Sequence, residues 1–154
     1  MTALDIREAD LTGDQVRALL ALHLADARSK TPAEFSFALD LSGLQAPNIT
    51  VWSAWAGTDL AGVGALKDLG DGSGEVKSMR TDPRHLRQGV ASALLGHIVE
   101  AARRRGLRRL SLETGTGPAF EPARTLYRKH GFVDGDCFAD YQPSAFNQFL
   151  HLEL

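Results

Sequence analysis

A single cysteine, Cys137, in 154 residues excludes an internal disulfide and any metal centre built on several thiolates. No apolar run approaches the roughly 20 residues that a membrane-spanning helix needs. The opening residues, MTALDIREAD, hold no basic segment followed by an apolar one, so no secretory signal is read and a cytoplasmic protein is expected. Charge of one sign is scarce too. The formal net charge is −2, which argues against a general attraction to nucleic acid or to a membrane surface. Repeats, low-complexity tracts and linkers are missing. What is present is ordinary globular material, 44% hydrophobic and 23% charged, and the length predicts one domain over residues 1–154 with a sizeable core.

The stretch from Glu75 to Arg105 organises the rest. Val76 to Thr81 reads as a strand closed by the turn pair Asp82–Pro83. Arg87, Gln88 and Gly89 then lead through Val90, Ala91 and Ser92 into a long helix. Its apolar stripe is Ala91, Leu94, Leu95, Ile98 and Ala102. A loop entering a helix presents unpaired backbone N–H groups at the positive end of the helix dipole, which suits a diphosphate. Two other glycine clusters do not qualify. Gly62-Val63-Gly64 lacks a third glycine and a following helix, and Gly70 to Gly74 reads as a flexible hairpin loop.

Taken in order, Leu4 to Glu8 is a short first strand. Thr12 and Gln15 are spaced as a capping box ahead of a helix with the stripe Val16, Leu19, Leu20, Leu24 and Ala27. His23 lies at the edge of that stripe and reads as structural. A second box, Thr31 to Glu34, predicts a short helix burying Phe35, Ala38 and Leu39 and closed by Gly43. Asn48 to Ala56 and Leu60 to Lys67 read as a hairpin. After the long helix, Gly106 is a stop and Leu107 to Glu113 alternates as a half-buried strand, so a right-handed parallel crossover is expected. Thr114 to Pro118 is loop. Ala123, Leu126, Tyr127 and His130 share one helical face that ends at Gly131, and Phe132 to Phe138 and Phe146 to Leu154 are closing strands.

Leu86-Arg87-Gln88-Gly89-Val90-Ala91 resembles the acetyl-coenzyme A signature Q/R-x-x-G-x-G/A of the GNAT superfamily of N-acetyltransferases, with Leu86 where the pattern has Gln or Arg and basic Arg87 beside it. Leu126-Tyr127 followed by Gly131-Phe132 resembles a second segment of that family. The run SMRT…HLRQGVA…LSLETG…LYRKHGF…FADY is similar to a bacterial subgroup of it. The resemblance implies an α+β, mixed α/β fold: one mostly antiparallel sheet of six or seven strands, about four flanking helices, and a splayed parallel pair formed by the fourth and fifth strands. It implies acetyl-CoA as co-substrate, no metal, no nucleic acid or membrane partner, and a homodimer. The implied activity is transfer of an acetyl group to a primary amine of a small molecule or peptide N-terminus, by direct attack in a ternary complex. A non-catalytic acyl-CoA-binding sensor or assembly module is the alternative.

Such a transfer must deprotonate an ammonium of pKa about 10, of which about one molecule in a thousand is neutral at pH 7. Glu75, opening the fourth strand, and Glu113, ending the fifth, are the candidate bases; each also has a structural reading, as a solvated strand-end charge or a loop-holding carboxylate. Glu113 comes first because it ends where the parallel pair splays. A bulge in the fourth strand would turn a backbone N–H toward the developing oxyanion. By the resemblance, Met79, Arg80 and Thr81 border the thioester arm, and Arg87, Gln88, Gly89, Val90, Ala91 and Ser92 hold the diphosphate. Tyr127 is implied both as cofactor contact and as the acid for the departing thiolate, at a cost of about 2 kcal/mol for an ordinary phenol; packing on the inner helix face is its structural reading. Cys137, with no paired histidine, reads as a small buried hydrophobe. Asp140 and Tyr141 are placed to meet a cationic acceptor or simply to build a turn. The arginines at 103, 104, 105, 108 and 109 read as a solvated helix terminus, with a basic rim for phosphates as the sharper alternative.

Overall fold

The structure, a computed structural model, describes residues 3–32 and 39–154. Seven strands form one mixed sheet: β1 (Asp5–Glu8), β2 (Ile49–Ala56), β3 (Asp59–Asp68), β4 (Ser73–Thr81), β5 (Arg109–Gly115), β6 (Val133–Gly135) and β7 (Asn147–Glu153). Their order is β1-β2-β3-β4-β5-β7-β6, and every neighbouring pair is antiparallel except β4 with β5. Among the described residues four helices cover it: α1 (Asp14–Lys30), α2 (Leu41–Leu44), α3 (Val90–Arg104) and α4 (Glu121–Lys129).

Period-two alternation along the central strands explains the layering. Val63 and Ala65 of β3 face one way, against Val16, Leu19 and Leu20 of α1 and Leu44 of α2. Leu66 faces the other, in the core that holds Leu94, Leu95 and Ile98 of α3 and Tyr127 of α4, and Ala61 joins it where the β2–β3 register slips between Leu60 and Gly62. In α3 it is Val90, not Ala91, that joins the fully buried stripe, along with Val99.

The glycines of β3 have a packing role. A Cβ on Gly62 would stand 2.7 Å from Val90 Cγ1 and 3.0 Å from both Leu94 Cδ1 and the Arg80 carbonyl. On Gly64 it would stand 2.6 Å from the Met79 sulfur. The pair therefore lets α3 and β4 press onto the sheet. Gly62→Ala is expected to cost about 1–3 kcal/mol through overpacking, read as a lower urea midpoint at unchanged slope.

Several local expectations are corrected. The Thr12–Gln15 capping box does not form, because Asp10 takes both the backbone N–H (2.9 Å) and the hydroxyl (2.6 Å) of Thr12. Gly13 caps α1 instead. The Gln15 side chain crosses to the β2–β3 turn, donating to the Thr58 carbonyl and accepting from Leu60 N–H. The second box, Thr31 to Glu34, and the helix predicted from it lie largely on 33–38, outside the described residues, and Gly43 ends no helix. It sits inside α2, its N–H donated to the capping carboxylate of Asp40 at 2.8 Å. β4 begins at Ser73, within the predicted loop, and β5 runs on to Gly115, because Ser73 pairs with Arg109 and Gly115 with Asn147. The strand predicted over 132–138 shrinks to β6, since the Asp136 carbonyl bonds the His151 ring rather than a ladder N–H. Cys137 is exposed, not buried.

Candidate active site

The sheet opens between its two parallel strands. β4 and β5 pair at Ser73–Arg109, Gly74–Leu110 and Glu75–Ser111 and no further. Beyond Glu75, β5 follows β7 as far as Gly115–Asn147, and β4 follows β3. Within β4 the register slips. Lys77 pairs with Ala65 and Arg80 with Val63, leaving Ser78 and Met79 opposite the single residue Gly64. Ser78 takes φ 55°, as a bulge residue does. A cavity of about 240 Å³ lies at the opening, lined by α1, β4, β5 and α4.

The sheet face turned toward α1 is polar here. Glu75, only 2% exposed, is not the solvated strand-end charge that its position suggests. Lys77 Nζ donates to its Oε2 at 3.0 Å, Tyr141 donates its hydroxyl to the same oxygen at 2.5 Å, and Lys77 also reaches the Tyr141 oxygen at 2.9 Å. Tyr141 thus serves the buried ion pair. Burial and the neighbouring Glu75 charge push its phenol far up. Phe138 and Phe149 pack around its ring, and His151 stands edge-on to Phe138. Behind them His151 Nε2 donates to the Asp136 carbonyl (2.8 Å), which leaves Nδ1 to accept from Ser111 (2.7 Å).

Glu113 differs. It lines the cavity, and among the described residues no hydrogen bond or ion pair holds its carboxyl. Burial raises its pKa to about 7; Lys77 opposes the rise and Glu75 adds to it. An unpaired carboxyl that titrates near neutrality is what a proton acceptor requires.

Across the cavity, Asp26 of α1 accepts from Arg80 Nη1 at 2.7 Å and from Lys30 Nζ at 3.0 Å, and both bonds hold its carboxyl below the usual range. Arg80, expected beside the cofactor, therefore turns its guanidinium to α1. His23 lines the same cavity. Burial first, and then the Arg80 charge, lower its pKa to about 4, so its ring is neutral.

Tyr127 reaches the opening from the other layer. It is 7% exposed, its ring edge-on to Phe132 at 5.8 Å, and burial pushes its phenol up to about 12. Met79 lines the cavity as well. Thr81 ends β4 opposite Gly62, and a 3₁₀ turn over Pro83–His85 follows it. Leu86, Arg87, Gln88 and Gly89 are exposed, with Arg87 at φ 62° and Gly89 at φ 80° as the α3 N-cap. Val90 buries its side chain, so only its backbone faces the loop. Ala91 is half-buried, and the Ser92 hydroxyl bonds His130 Nε2 at 2.9 Å, tying the start of α3 to the end of α4.

The fold thus gathers Glu75, Glu113, Met79 and Tyr127 around one cavity and sets 87–92 at a helix mouth. Lys77, Asp26 and Ser78 were not singled out from sequence. For Lys77 a signal existed, because Glu75 and Lys77 are two apart and must share a strand face. The arginine-rich segment lies at the end of α3 opposite Gly89 and makes local contacts. Arg103 and Arg104 face Glu100, Arg109 meets Glu153, Arg108 donates to the Asp71 carbonyl, and Arg105 lies over Trp52. Among the described residues no cluster of three or more His, Cys, Asp or Glu could hold a metal ion, and no helix is long and apolar enough to cross a membrane.

A mixed sheet parted at its one parallel junction, with a helix mouth beside the gap, is an acyltransferase architecture. The chain belongs to the acetyltransferase (GNAT) family, whose model matches residues 16–132. It is 50% identical over 149 residues to the uncharacterized N-acetyltransferase YedL of Escherichia coli strain K12, covering 97% of this chain and 94% of that one. It is equally similar, 50% over 149 residues, to the uncharacterized N-acetyltransferase YsnE of Bacillus subtilis strain 168, covering 97% and 99%. In fold it matches a Bacillus subtilis acetyltransferase solved in complex with CoA, at TM-score 0.74 and 21% identity over 99% of each chain.

Proposed function

We propose that this protein moves the acetyl group of acetyl-CoA to a primary amine by direct attack in a ternary complex. The observation that carries the reading is the Glu113 carboxyl, unpaired at the opening between β4 and β5 with its pKa near 7. The residues fit the co-substrate. A Cβ on Gly89 would meet nothing within 4 Å, so no side chain closes off the start of α3. The first N–H groups of that helix have no intrahelical acceptor. Backbone from Arg87 to Ser92 would hold the diphosphate, and Met79 and Thr81 would border the thioester arm along the unpaired edge of β4.

Acetyl-CoA supplies the acetyl group already activated as a thioester. Glu113 takes the proton of the incoming ammonium, directly or through a water, so that the nitrogen lone pair is free to bond the acetyl carbon. Main-chain N–H at the Ser78–Met79 bulge is the donor for the developing oxyanion. Tyr127 donates a hydrogen bond to the sulfur as the C–S bond breaks; the second nitrogen proton leaves to solvent as the amide forms, and water protonates the thiolate. Glu75 is fixed by Lys77 and Tyr141 and serves as a buried counter-charge rather than as the base.

The test is thiol release from acetyl-CoA against a broad amine panel, beside calorimetry of acetyl-CoA binding. Amine-dependent thiol release is expected. Tight binding with no thiol release on any amine would leave only a sensor. Gly89→Val forces a β-branched residue into the left-handed region, at about 1–2 kcal/mol, and is expected to weaken acetyl-CoA binding about tenfold in the same calorimetry.

A further inference from the structure

The cavity has two electrostatically different ends. At the β5 end Glu113 is unpaired, and beside it the charges of Glu75 and Lys77 cancel within one ion pair 3.0 Å long. At the α1 end, two cations share one anion. Arg80 and Lys30 both donate to Asp26 Oδ2, and among the described residues no second carboxylate meets either. Arg80 and Asp26 are only 25% and 24% exposed against 43% for Lys30, so the Arg80 charge is screened less than it would be on open surface. A guanidinium has five N–H donors and an ammonium three, and the contact with Asp26 engages one of each.

Two further polar atoms at this cavity lack partners among the described residues. His23 Nδ1 and Ser78 Oγ are buried without a hydrogen bond, and both residues line the cavity. The neutral His23 ring adds no charge that would offset the cations. Buried polar groups are ordinarily satisfied, so two orphans beside a surplus of donors point to a polar ligand group that completes the set.

We propose that the acceptor is a zwitterion, a primary amine whose other end carries a carboxylate seated at Arg80 and Lys30 while the amino group faces Glu113. This rests on the acetyl-transfer reading above and names its substrate class. A carboxylate accepts two parallel N–H bonds from a guanidinium, a geometry that a neutral amide cannot match at equal strength. A polyamine or other polycation would set a second ammonium against Arg80 and Lys30 and be repelled. The cavity size, about 240 Å³, suits a small molecule.

The experiment is thiol release from acetyl-CoA with each common L-amino acid beside its carboxamide and its decarboxylated amine, on the intact chain. For the best acceptor the acid is expected to exceed the amide at least tenfold in kcat/KM. Arg80→Gln and Lys30→Met should each bring that ratio toward one by raising KM for the acid, with circular dichroism reporting the fold. Asp26→Asn, which frees both cations, should lower KM for the acid. Amides or decarboxylated amines turning over as fast as the acids would overturn the zwitterion while leaving acetyl transfer standing. Silence on every amine, with acetyl-CoA still bound, would overturn both.

Discussion

Glu113→Gln is expected to lower kcat/KM for the amine by about 10²- to 10⁴-fold while acetyl-CoA still binds. Glutamine keeps the shape and removes the proton acceptor. In the unaltered protein kcat/KM should rise through pH 7, as a carboxyl with a pKa of about 7 loses its proton, and this limb should vanish in the variant. The stability effect has the opposite sign. Because the folded-state pKa is raised, the fold binds this proton more tightly than the unfolded chain does. Below the unfolded value Glu113 is neutral in both states and carries no penalty. As pH rises toward 7 the unfolded chain ionises first and folding loses ground, and above 7 the penalty is complete, on the order of 3 kcal/mol. Glu113→Gln should therefore melt higher than the parent at pH 8 and close to it at pH 4. An unchanged pH profile together with an unchanged rate would assign the proton transfer elsewhere.

Tyr127→Phe is expected to lower kcat by about 10- to 100-fold with little change in KM for acetyl-CoA. That is the worth of a hydrogen bond to a charged sulfur, about 1.5–3 kcal/mol. The buried environment alters what this phenol can do. With a pKa pushed up to about 12, full transfer of its proton to a thiolate near 8.5 is uphill by about 5 kcal/mol, against about 2 for an ordinary phenol. Tyr127 is thus better suited to stabilise the departing sulfur by a hydrogen bond, the proton arriving afterwards from water. It stays protonated well beyond pH 10, so the parent and the variant should run parallel on the alkaline side. Equal kcat values across that range would remove the phenol from the reaction.

Both expected effects rest on the proposed reading and on the splay, which opens the sheet between Glu113 and Tyr127. Glu113 extends past the last β4–β5 pair, Glu75–Ser111, while Tyr127 arrives from α4 on the opposite layer. The ring cluster of Phe138, Tyr141 and Phe149 closes the wall beside Glu75 and Lys77. It holds the ion pair in place without supplying the proton acceptor.

Much of this was legible in the residues themselves. The alternation of apolar positions marks β2, β3 and β5, and the spacing from Val90 to Ala102 marks α3, because hydrophobic periodicity is a local property of the chain. Gly89, Gly106 and Gly131, all at positive φ, punctuate the helices where sequence placed them, since few other residues tolerate that backbone. Local signals failed where a distant group outcompeted the near one. Gln15 left its capping role for the β2–β3 turn.

What only the tertiary structure decided is the electrostatic character of each end of the cavity. Sequence offered two glutamates with equal chemistry. Folding paired one with Lys77 of its own strand and with Tyr141, 66 residues away, and among the described residues left the other unpaired in a low-dielectric opening. It also drew Arg80 to Asp26, 54 residues away. A side chain's periodicity follows from its immediate neighbours, but its charge state follows from whatever the fold brings within a few ångströms, and no local pattern records that.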